Sequence, residues 1–185
     1  MKIGSRTRWR FIVRGLDGKI KGQSEVTPNV NTLEGTVFFL DLYYNLALNY
    51  TAAWFVGLAT GAPMNPTRQD TAALITTGTP NPPTTNDWRE VVDYSELQRQ
   101  PVIWGAVNVL TPTIPYVAEL DQVGICNFTM TAAGILEGGL LSNDSGKGAT
   151  SGILYCIDAG AGSLVYGVGD TIEVSVITGF SEGPV

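Results

Sequence analysis

Carboxylates are the side chains in this sequence that could most directly do chemistry, and five of the seventeen lie in two close groups. Asp87, Glu90 and Asp93 form the first group, and Glu119 and Asp121 form the second. A glycosidase needs two carboxylates at a defined separation across a cleft, but closeness in sequence determines neither separation nor burial. No further feature marks a catalytic pair, so the sequence favours solvated acids on loops.

The chain contains no histidine. This removes the usual general base, the proton relay of Ser-His-Asp chemistry and the commonest metal ligand. A calcium site near Asn143 and Asp144 stays open because oxygen ligands suffice for that ion, although the EF-hand spacing is missing. We therefore predict a protein that is not an enzyme and that uses no cofactor.

Two cysteines, Cys126 and Cys156, are too few for a disulfide framework or a cysteine-only zinc site. Each lies in an apolar, strand-like run, which predicts a small buried apolar side chain. The sequence leaves open whether the two pair. Cys126 is a poor candidate for a nucleophile because no histidine can activate it.

The glycine-rich segment 142–152 is superficially similar to a phosphate-binding loop. The Gly-Lys-Ser/Thr ending of such a loop is missing, because Gly148 and Ala149 follow Lys147. Turn formation accounts for the segment, since Gly, Asn, Asp and Ser are the residues that turns prefer.

Aromatic side chains offer another kind of site. A carbohydrate-binding module presents aromatic platforms to sugars, and four residues could line such a face: Trp88, Tyr94, Trp104 and Tyr116. The favoured interpretation is that they lie in the core or at an interface between copies of the chain.

Charge is distributed unevenly along the chain, whose net charge is −6. Residues 1–22 hold seven of the eleven basic side chains and one acid, which leaves four basic and sixteen acidic residues for the rest. A nucleic-acid-binding domain would need a basic face on its body, so that partner is not expected. The split instead indicates a docking surface or an internal pairing of the N-terminal segment with the body.

Length and composition indicate one domain, or one domain with an appended element. The 185 residues are 44% hydrophobic and 15% charged, with 22 Gly and 10 Pro. This composition is typical of an all-β protein with many turns. The N-terminus lacks a signal-peptide core and no apolar run has the length of a membrane span, so we expect a soluble protein made in the cytoplasm.

Residues 8–14 alternate basic and apolar side chains, which predicts a half-buried strand with Trp9, Phe11 and Val13 on one face and a cationic outer face. Asp17 and Gly18 suit a turn, and residues 19–26 return as a second strand. Together they predict a basic β-hairpin.

Residues 33–48 are the best candidate for a helix, with Asn31 or Thr32 as the cap. Its apolar residues recur at helical spacing and should face a sheet: Leu33, Val37, Leu40, Tyr44 and Leu48. We divide the chain into residues 1–50, the hairpin and helix, and residues 51–185, the β body.

Residues 52–58 form an apolar run that predicts a strand buried on both faces, with Trp54 deeply buried. A long polar region follows at about 60–100, which is typical of a functional or flexible loop. Residues 102–109 predict another buried strand.

The remainder of the chain carries strand patterns at regular spacing, at about 116–120, 123–131, 133–141, 152–157 and 170–180. In the last of them Ile172, Val174 and Val176 should point inward. We predict a mainly β protein with an antiparallel β-sandwich or jelly-roll-like fold, an N-terminal hairpin and one α-helix.

Several motifs, in their order along the chain, resemble those of a family of small tailed-bacteriophage virion proteins. The first part runs from a basic hairpin through a Leu-rich helix to an aromatic strand. The matching segments are Arg6-Thr7-Arg8-Trp9, Trp54-Phe55-Val56-Gly57-Leu58, Asp70-Thr71, Trp88-Arg89-Glu90, Tyr94-Ser95, Arg99-Gln100-Pro101, Ala133-Gly134-Ile135-Leu136, Gly152-Ile153-Leu154-Tyr155 and Val168-Gly169-Asp170-Thr171-Ile172-Glu173-Val174.

The resemblance implies a structural role in a virion assembled in the host cytoplasm. We expect a decoration or cement protein that docks on the major capsid protein as a homo-oligomer, with a trimer favoured. The expected contacts are basic and aromatic: Arg6, Arg8, Arg10, Arg14, Trp88 and Tyr94. A tail or fibre component and a carbohydrate-binding β-sandwich module are the alternatives.

Overall fold

Alternating side chains give the first strand two unlike faces. The computed structural model describes residues 2–44, 53–61, 64–75, 88–110 and 119–183. Strand β1 (Lys2–Arg14) buries Trp9, Phe11 and Val13 completely and leaves Arg10 exposed. A turn at Gly18, which has a φ of 76°, leads into β2 (Ile20–Gln23). The predicted hairpin is therefore confirmed.

The hairpin belongs to a sheet that joins the two ends of the described chain. Strand β14 (Thr171–Gly183) pairs antiparallel with β1 along its whole length, from Lys2 opposite Gly183 to Arg14 opposite Thr171. The order in this first sheet is β2-β1-β14-β9-β8, and β3 also pairs with β1. The new strands are β3 (Thr27–Pro28), β8 (Ile103–Leu110) and β9 (Glu119–Thr129). The division at residue 50 stays a prediction.

A second sheet packs against the first. Its order is β4-β12-β11-β5-β6, with β7 paired to β5. Its strands are β4 (Val30–Asn31), β5 (Phe55–Thr60), β6 (Arg89–Val91), β7 (Gln100–Pro101), β11 (Gly138–Ser142) and β12 (Leu154–Asp158). Strands β10 (Gly134–Leu136) and β13 (Leu164–Tyr166) form a separate pair. All these pairings are antiparallel, so the predicted mainly β, sandwich-like fold is confirmed.

The core lies between the two sheets. The first sheet contributes the inward residues of β1, β9 and β14, and the second contributes those of β5, β11 and β12. The larger members are Trp9, Phe11, Val13, Val56, Leu58, Phe128, Leu141, Ile172, Val174 and Val176. Cys126 and Cys156 lie buried in opposite sheets as free thiols, as the predicted small apolar side chains. Burial raises the pKa of both thiols, which is opposite to the shift of a reactive cysteine.

The outer face of the second sheet is covered by the chain itself. Residues 64–75, which include a 3-10 helix (Ala72–Leu74), lie across this face together with Trp88. They form a second apolar cluster with Leu140, Leu154 and Ile157 of β11 and β12. Strand β11 is consequently buried at all five positions. The first sheet has no comparable cover among the described residues.

The helix α1 (Leu33–Tyr44) is capped by Thr32, whose Oγ1 accepts a hydrogen bond from the Gly35 backbone N–H at 3.0 Å. Gly35 packs on β12 so closely that an added Cβ would lie 2.5 Å from the Tyr155 carbonyl oxygen. The expectation that Leu33 and Val37 face a sheet is wrong, because close backbone approach at Gly35 turns both toward solvent, where they are about half exposed. The predicted residues 45–48 lie outside the described residues.

Two other sequence predictions need correction. Trp54 precedes β5 and is only partly buried, because it lies at the margin of the core against Phe38 and Tyr155 rather than inside the sheet. Residues 102–109 were expected to form a buried strand, but no second described strand pairs with β8, and Ile103 is 76% exposed. The inner positions of β5, from Val56 to Ala59, are buried as predicted.

Candidate functional site

The outer face of the first sheet carries the basic side chains predicted to bind a partner. Because successive residues of a strand point to opposite faces, burial of Trp9, Phe11 and Val13 leaves Arg8, Arg10 and Arg14 on the other face. The Arg10 guanidinium is exposed and donates a hydrogen bond to Gln23 Oε1 at 3.3 Å. Arg8 and Arg14 are half-buried, and the side chain of Arg6 lies outside the described residues.

Strand register extends this face from basic to apolar. Arg10 lies opposite Ser175, Ser175 opposite Ile125, and Ile125 opposite Ile103. Adjacent strands are about 4.8 Å apart, so this row crosses four strands in roughly 14 Å. We call Arg8, Arg10, Arg14, Ser175, Ile125 and Ile103 the outer face.

Part of the N-terminal basic charge pairs with acids near the C-terminus. Lys21 Nζ lies 2.6 Å from Asp170 Oδ2, and that hydrogen bond holds the pKa of the Asp170 carboxyl below its usual value. Arg14 Nη2 lies 3.9 Å from Glu173 Oε2, a partly exposed and therefore weak pair. Lys21 is thus engaged in an internal ion pair with Asp170, whereas Arg10 is exposed at the surface.

Trp88 is buried, which agrees with the favoured interpretation of a core or interface aromatic but does not leave it exposed for the expected partner contact. Its Nε1 donates a hydrogen bond to Asp70 Oδ2 at 3.0 Å, and Asp70 also accepts one from the Thr67 backbone N–H. Trp88 therefore fixes the segment that covers the second sheet. The indole ring is buried because the solvent-facing side of the second sheet supplies an apolar surface large enough to cover it.

Tyr94 is also buried, which corrects the second expected anchor. Its ring packs edge-on against Phe128 with centroids 4.9 Å apart, and Lys147 Nζ lies 3.9 Å from its centroid. Burial raises the pKa of the Tyr94 hydroxyl, and the Glu90 carboxylate adds to the shift. Neither Trp88 nor Tyr94 is available at the surface as a platform for a partner or a sugar. Trp104 is half-buried against the core, and Tyr116 lies outside the described residues.

The acidic residues singled out as candidates do not form a catalytic group. Glu90 is fully buried in an ion pair, Asp93 is exposed, and Asp87 lies outside the described residues. The side chains of Glu119 and Asp121 are not among those described. No group of three His, Cys, Asp or Glu that could hold a metal ion occurs in the described part of the chain.

The most highly bonded polar group, which sequence reasoning missed, is the pair of Arg99 and Glu90. Both side chains are fully buried and joined by two hydrogen bonds of 2.8 Å, from Nε to Oε1 and from Nη2 to Oε2. Arg99 also donates to the carbonyl oxygens of Asp144 and Ala149, and Glu90 accepts from the Gly148 N–H. The available signal was the rarity of basic residues after position 22, which makes each one a candidate for a buried pair.

This ion pair holds the glycine-rich turn that is superficially similar to a phosphate loop. Lys147 Nζ donates to the carbonyl oxygens of Tyr94 at 2.7 Å and Val92 at 3.2 Å, so it does not project into an open loop. Asp144 accepts hydrogen bonds from Ser151 and the Gly146 N–H, which lower the pKa of its carboxyl. The interpretation of residues 142–152 as a turn agrees with these contacts.

The Asp158 carboxyl is buried, and the two hydrogen bonds described for it come from uncharged donors. Its oxygens accept hydrogen bonds from Thr27 Oγ1 at 3.1 Å and the Gly160 N–H at 2.9 Å. Loss of solvent raises the pKa of Asp158 to about 6, against the opposing effect of these two bonds. The carboxyl is therefore a pH-dependent element of the second sheet.

We predict that acidification will stabilise the wild-type chain relative to Asp158→Asn. The folded-state pKa lies above the ordinary value of 3.8, so burial costs stability above about pH 6 and this cost disappears toward about pH 4. The wild type should gain about 2–3 kcal/mol relative to Asp158→Asn over that interval. Urea unfolding at several pH values measures it, with the exposed Asp93→Asn as control. Parallel pH profiles for wild type and Asp158→Asn would contradict the prediction.

Comparison of the chain with known protein families, with curated proteins and with solved structures finds no match. Within the described residues, no helix is long and apolar enough to cross a membrane.

Proposed function

We propose that this protein is a structural, non-enzymatic component of a tailed-bacteriophage virion, a decoration or cement protein that binds the major capsid protein as a homo-oligomer. The observation that carries the proposal is the outer face. Within the described part of the chain, no segment packs across this face as residues 64–75 do on the second sheet, and the face carries a basic row in a chain whose residues beyond position 22 are strongly acidic. The order of sequence motifs that resembles small virion proteins supports the same role.

The physical basis of docking is charge complementarity. A row of arginines on a rigid sheet attracts an acidic surface, raises the rate of encounter and disfavours basic partners. Arg8 and Arg10 are held in position by the burial of Trp9 between them, so little side-chain and backbone order has to be gained on binding. The acidic remainder of the chain should repel the same partner surface and thereby orient the protein on it.

We predict that Arg10→Glu/Arg14→Glu will abolish binding to the particle. The double variant changes the charge of the outer face by four units, which replaces attraction to an acidic shell with repulsion. Quantifying the protein on purified particles by mass spectrometry measures the effect. The control is Arg68→Glu compared with Arg10→Glu alone, which makes the same change of charge at an exposed position on the segment that covers the second sheet. Circular dichroism verifies that all variants are folded.

Unchanged occupancy of Arg10→Glu/Arg14→Glu would remove the docking surface from the proposal. Gold labelling of the protein on intact virions tests the location separately, because a decoration protein gives signal over the head. Signal on the tail would replace the capsid role with that of a tail or fibre component, and absence from purified particles would reject the virion role.

A further inference from the structure

The two edges of the first sheet differ in how they are protected. Strand β2 is four residues long, contains Lys21 and is flanked by Lys19. Strand β8 is eight residues long, and its sequence, Ile-Trp-Gly-Ala-Val-Asn-Val-Leu, contains neither a charge nor a proline. Proteins usually guard an exposed edge with charged residues, proline or a very short strand, because unpaired backbone groups recruit further strands. The β2 edge is guarded and the β8 edge has no charged guard.

Close packing attaches the start of strand β8 to the first sheet. Trp104 lies on Gly124 of β9, where an added Cβ would be 2.9 Å from Trp104 Cε3 and 2.0 Å from Val102 Cγ1. Only glycine admits this contact, which attaches the start of β8 to the sheet. An irregularity between Trp104 and Val107 interrupts the pairing with β9 and leaves Gly105 and Ala106 exposed. In the described part of the chain, no strand pairs with the other side of β8.

Apolar surface continues from this edge onto the outer face. Ile103 is 76% exposed, and its cross-strand neighbour Ile125 is 44% exposed. A protein that stayed monomeric would ordinarily place a polar residue at such an edge position, because an exposed apolar edge strand promotes association. The edge therefore combines apolar side chains with backbone groups that no other described strand pairs with.

We propose that β8 pairs antiparallel with β8 of a second copy of this chain, so that the two first sheets become one continuous sheet. A second copy is the occupant that the charge pattern favours. A two-fold contact brings the same surface of each copy together. Two acidic surfaces or two basic rows would repel each other, so such a contact is favoured where neither copy carries charge. Strand β8 is such a place, and an antiparallel pair is self-complementary about a two-fold axis.

If the proposed function is correct, pairing through β8 also affects how the protein binds its partner. With the axis perpendicular to the sheet, both outer faces lie on the same side of the dimer. Seven strand spacings separate the two copies of β1, which puts the basic rows roughly 34 Å apart. The dimer would then bind an acidic surface through two sites, with the gain in apparent affinity that bivalency provides. This two-fold assembly differs from the trimer favoured on sequence.

Sedimentation velocity over the micromolar range tests the pairing with purified full-length protein. We expect the wild type to be a dimer and Ile103→Lys to dimerise at least about tenfold more weakly, since it places a cation on each edge. Ile20→Lys, at an isoleucine that is 50% exposed on the opposite edge, is the matched control and should dimerise like the wild type. Amide hydrogen exchange in β8 should slow as the wild-type concentration rises.

Ile125→Lys separates edge pairing from face-to-face packing, because Ile125 lies on the outer face one strand away from the edge. Dimerisation that is weakened as much by Ile125→Lys as by Ile103→Lys would overturn the proposal. A wild-type monomer, a wild-type trimer or an unaffected Ile103→Lys variant would also overturn it. Particle binding distinguishes the two proposals: Ile103→Lys should lower apparent affinity through lost bivalency, whereas Arg10→Glu/Arg14→Glu should abolish binding and leave the dimer intact.

Discussion

Replacing Arg99 with methionine should lower the free energy of unfolding by about 3–5 kcal/mol. The variant leaves the Glu90 carboxylate fully buried without its cationic partner, which is the costly way to break an internal ion pair. It also removes the donors to the Asp144 and Ala149 carbonyl oxygens. Chemical denaturation monitored by tryptophan fluorescence measures the loss.

The matched control for this substitution is Arg68→Met, which makes the same chemical change at an exposed position. It should alter the free energy of unfolding by no more than about 0.5 kcal/mol. The double variant Glu90→Leu/Arg99→Met should recover part of the loss, because no unpaired charge remains. Recovery should be incomplete, since the Gly148 N–H then loses its acceptor.

A local measurement distinguishes the role of the ion pair in holding the turn from a general loss of stability. Amide exchange in residues 142–152 of Arg99→Met should accelerate more than exchange in β1 and β14, because the pair bonds directly to that turn. A loss of less than about 1 kcal/mol, comparable with that of a surface pair, would show that the Arg99–Glu90 contact contributes little.

Replacing Trp9 with alanine should cost about 3–5 kcal/mol, the range for a large aromatic residue removed from a core. Trp9 is completely buried between the two sheets and stacks on Phe11 with ring centroids 5.8 Å apart. The cavity would open where β1 meets β5 and β11, because an added Cβ at Gly139 of β11 would lie 2.9 Å from the indole ring. Urea unfolding with circular dichroism detection measures the difference.

Trp54→Ala removes the same atoms from the margin of the core and is the matched comparison. Trp54 keeps contacts with Tyr155 at 5.3 Å and Phe38 at 5.9 Å between ring centroids, but it is only partly buried. We expect Trp54→Ala to lower the free energy of unfolding clearly less than Trp9→Ala does. Equal or reversed losses of free energy of unfolding would contradict the placement of Trp9 inside the core and of Trp54 at its margin.

The proposed docking surface depends on the same packing. Trp9 lies between Arg8 and Arg10 in sequence, and its burial is what directs the arginines to the opposite face of the sheet. A destabilised β1 would therefore weaken partner binding without removing any charge. For this reason the binding variants replace exposed or half-exposed arginines and leave the inward residues unchanged.

Local pattern was sufficient to predict several elements. The alternation of Trp9, Phe11 and Val13 and that of Ile172, Val174 and Val176 identified strands whose inward faces are buried as expected. Thr32 was among the predicted helix caps and occupies that position. These features can be predicted from sequence because period-two burial and helix capping involve residues that are close together in the chain.

The errors concern burial that depends on distant parts of the chain. The sequence left open whether Trp88 and Tyr94 lie in the core or at an interface, and only the fold supplies Asp70 and Phe128 as their buried partners. Ile103 looks buried because its neighbours are apolar, yet among the described strands only β9 pairs with β8. No local pattern indicates whether a strand is central or at an edge.

By itself the sequence determined that this is a mainly β protein, with a basic N-terminal hairpin and an acidic remainder and without histidine chemistry. Composition, the alternation of apolar and polar residues, and the distribution of charge along the chain do not depend on how the strands are arranged. Tertiary structure alone decided that β1 pairs with β14, that Arg99 is buried against Glu90, and that one sheet face is covered while the other presents arginines. Each of these is a contact between residues far apart in sequence, selected by the packing of the whole fold.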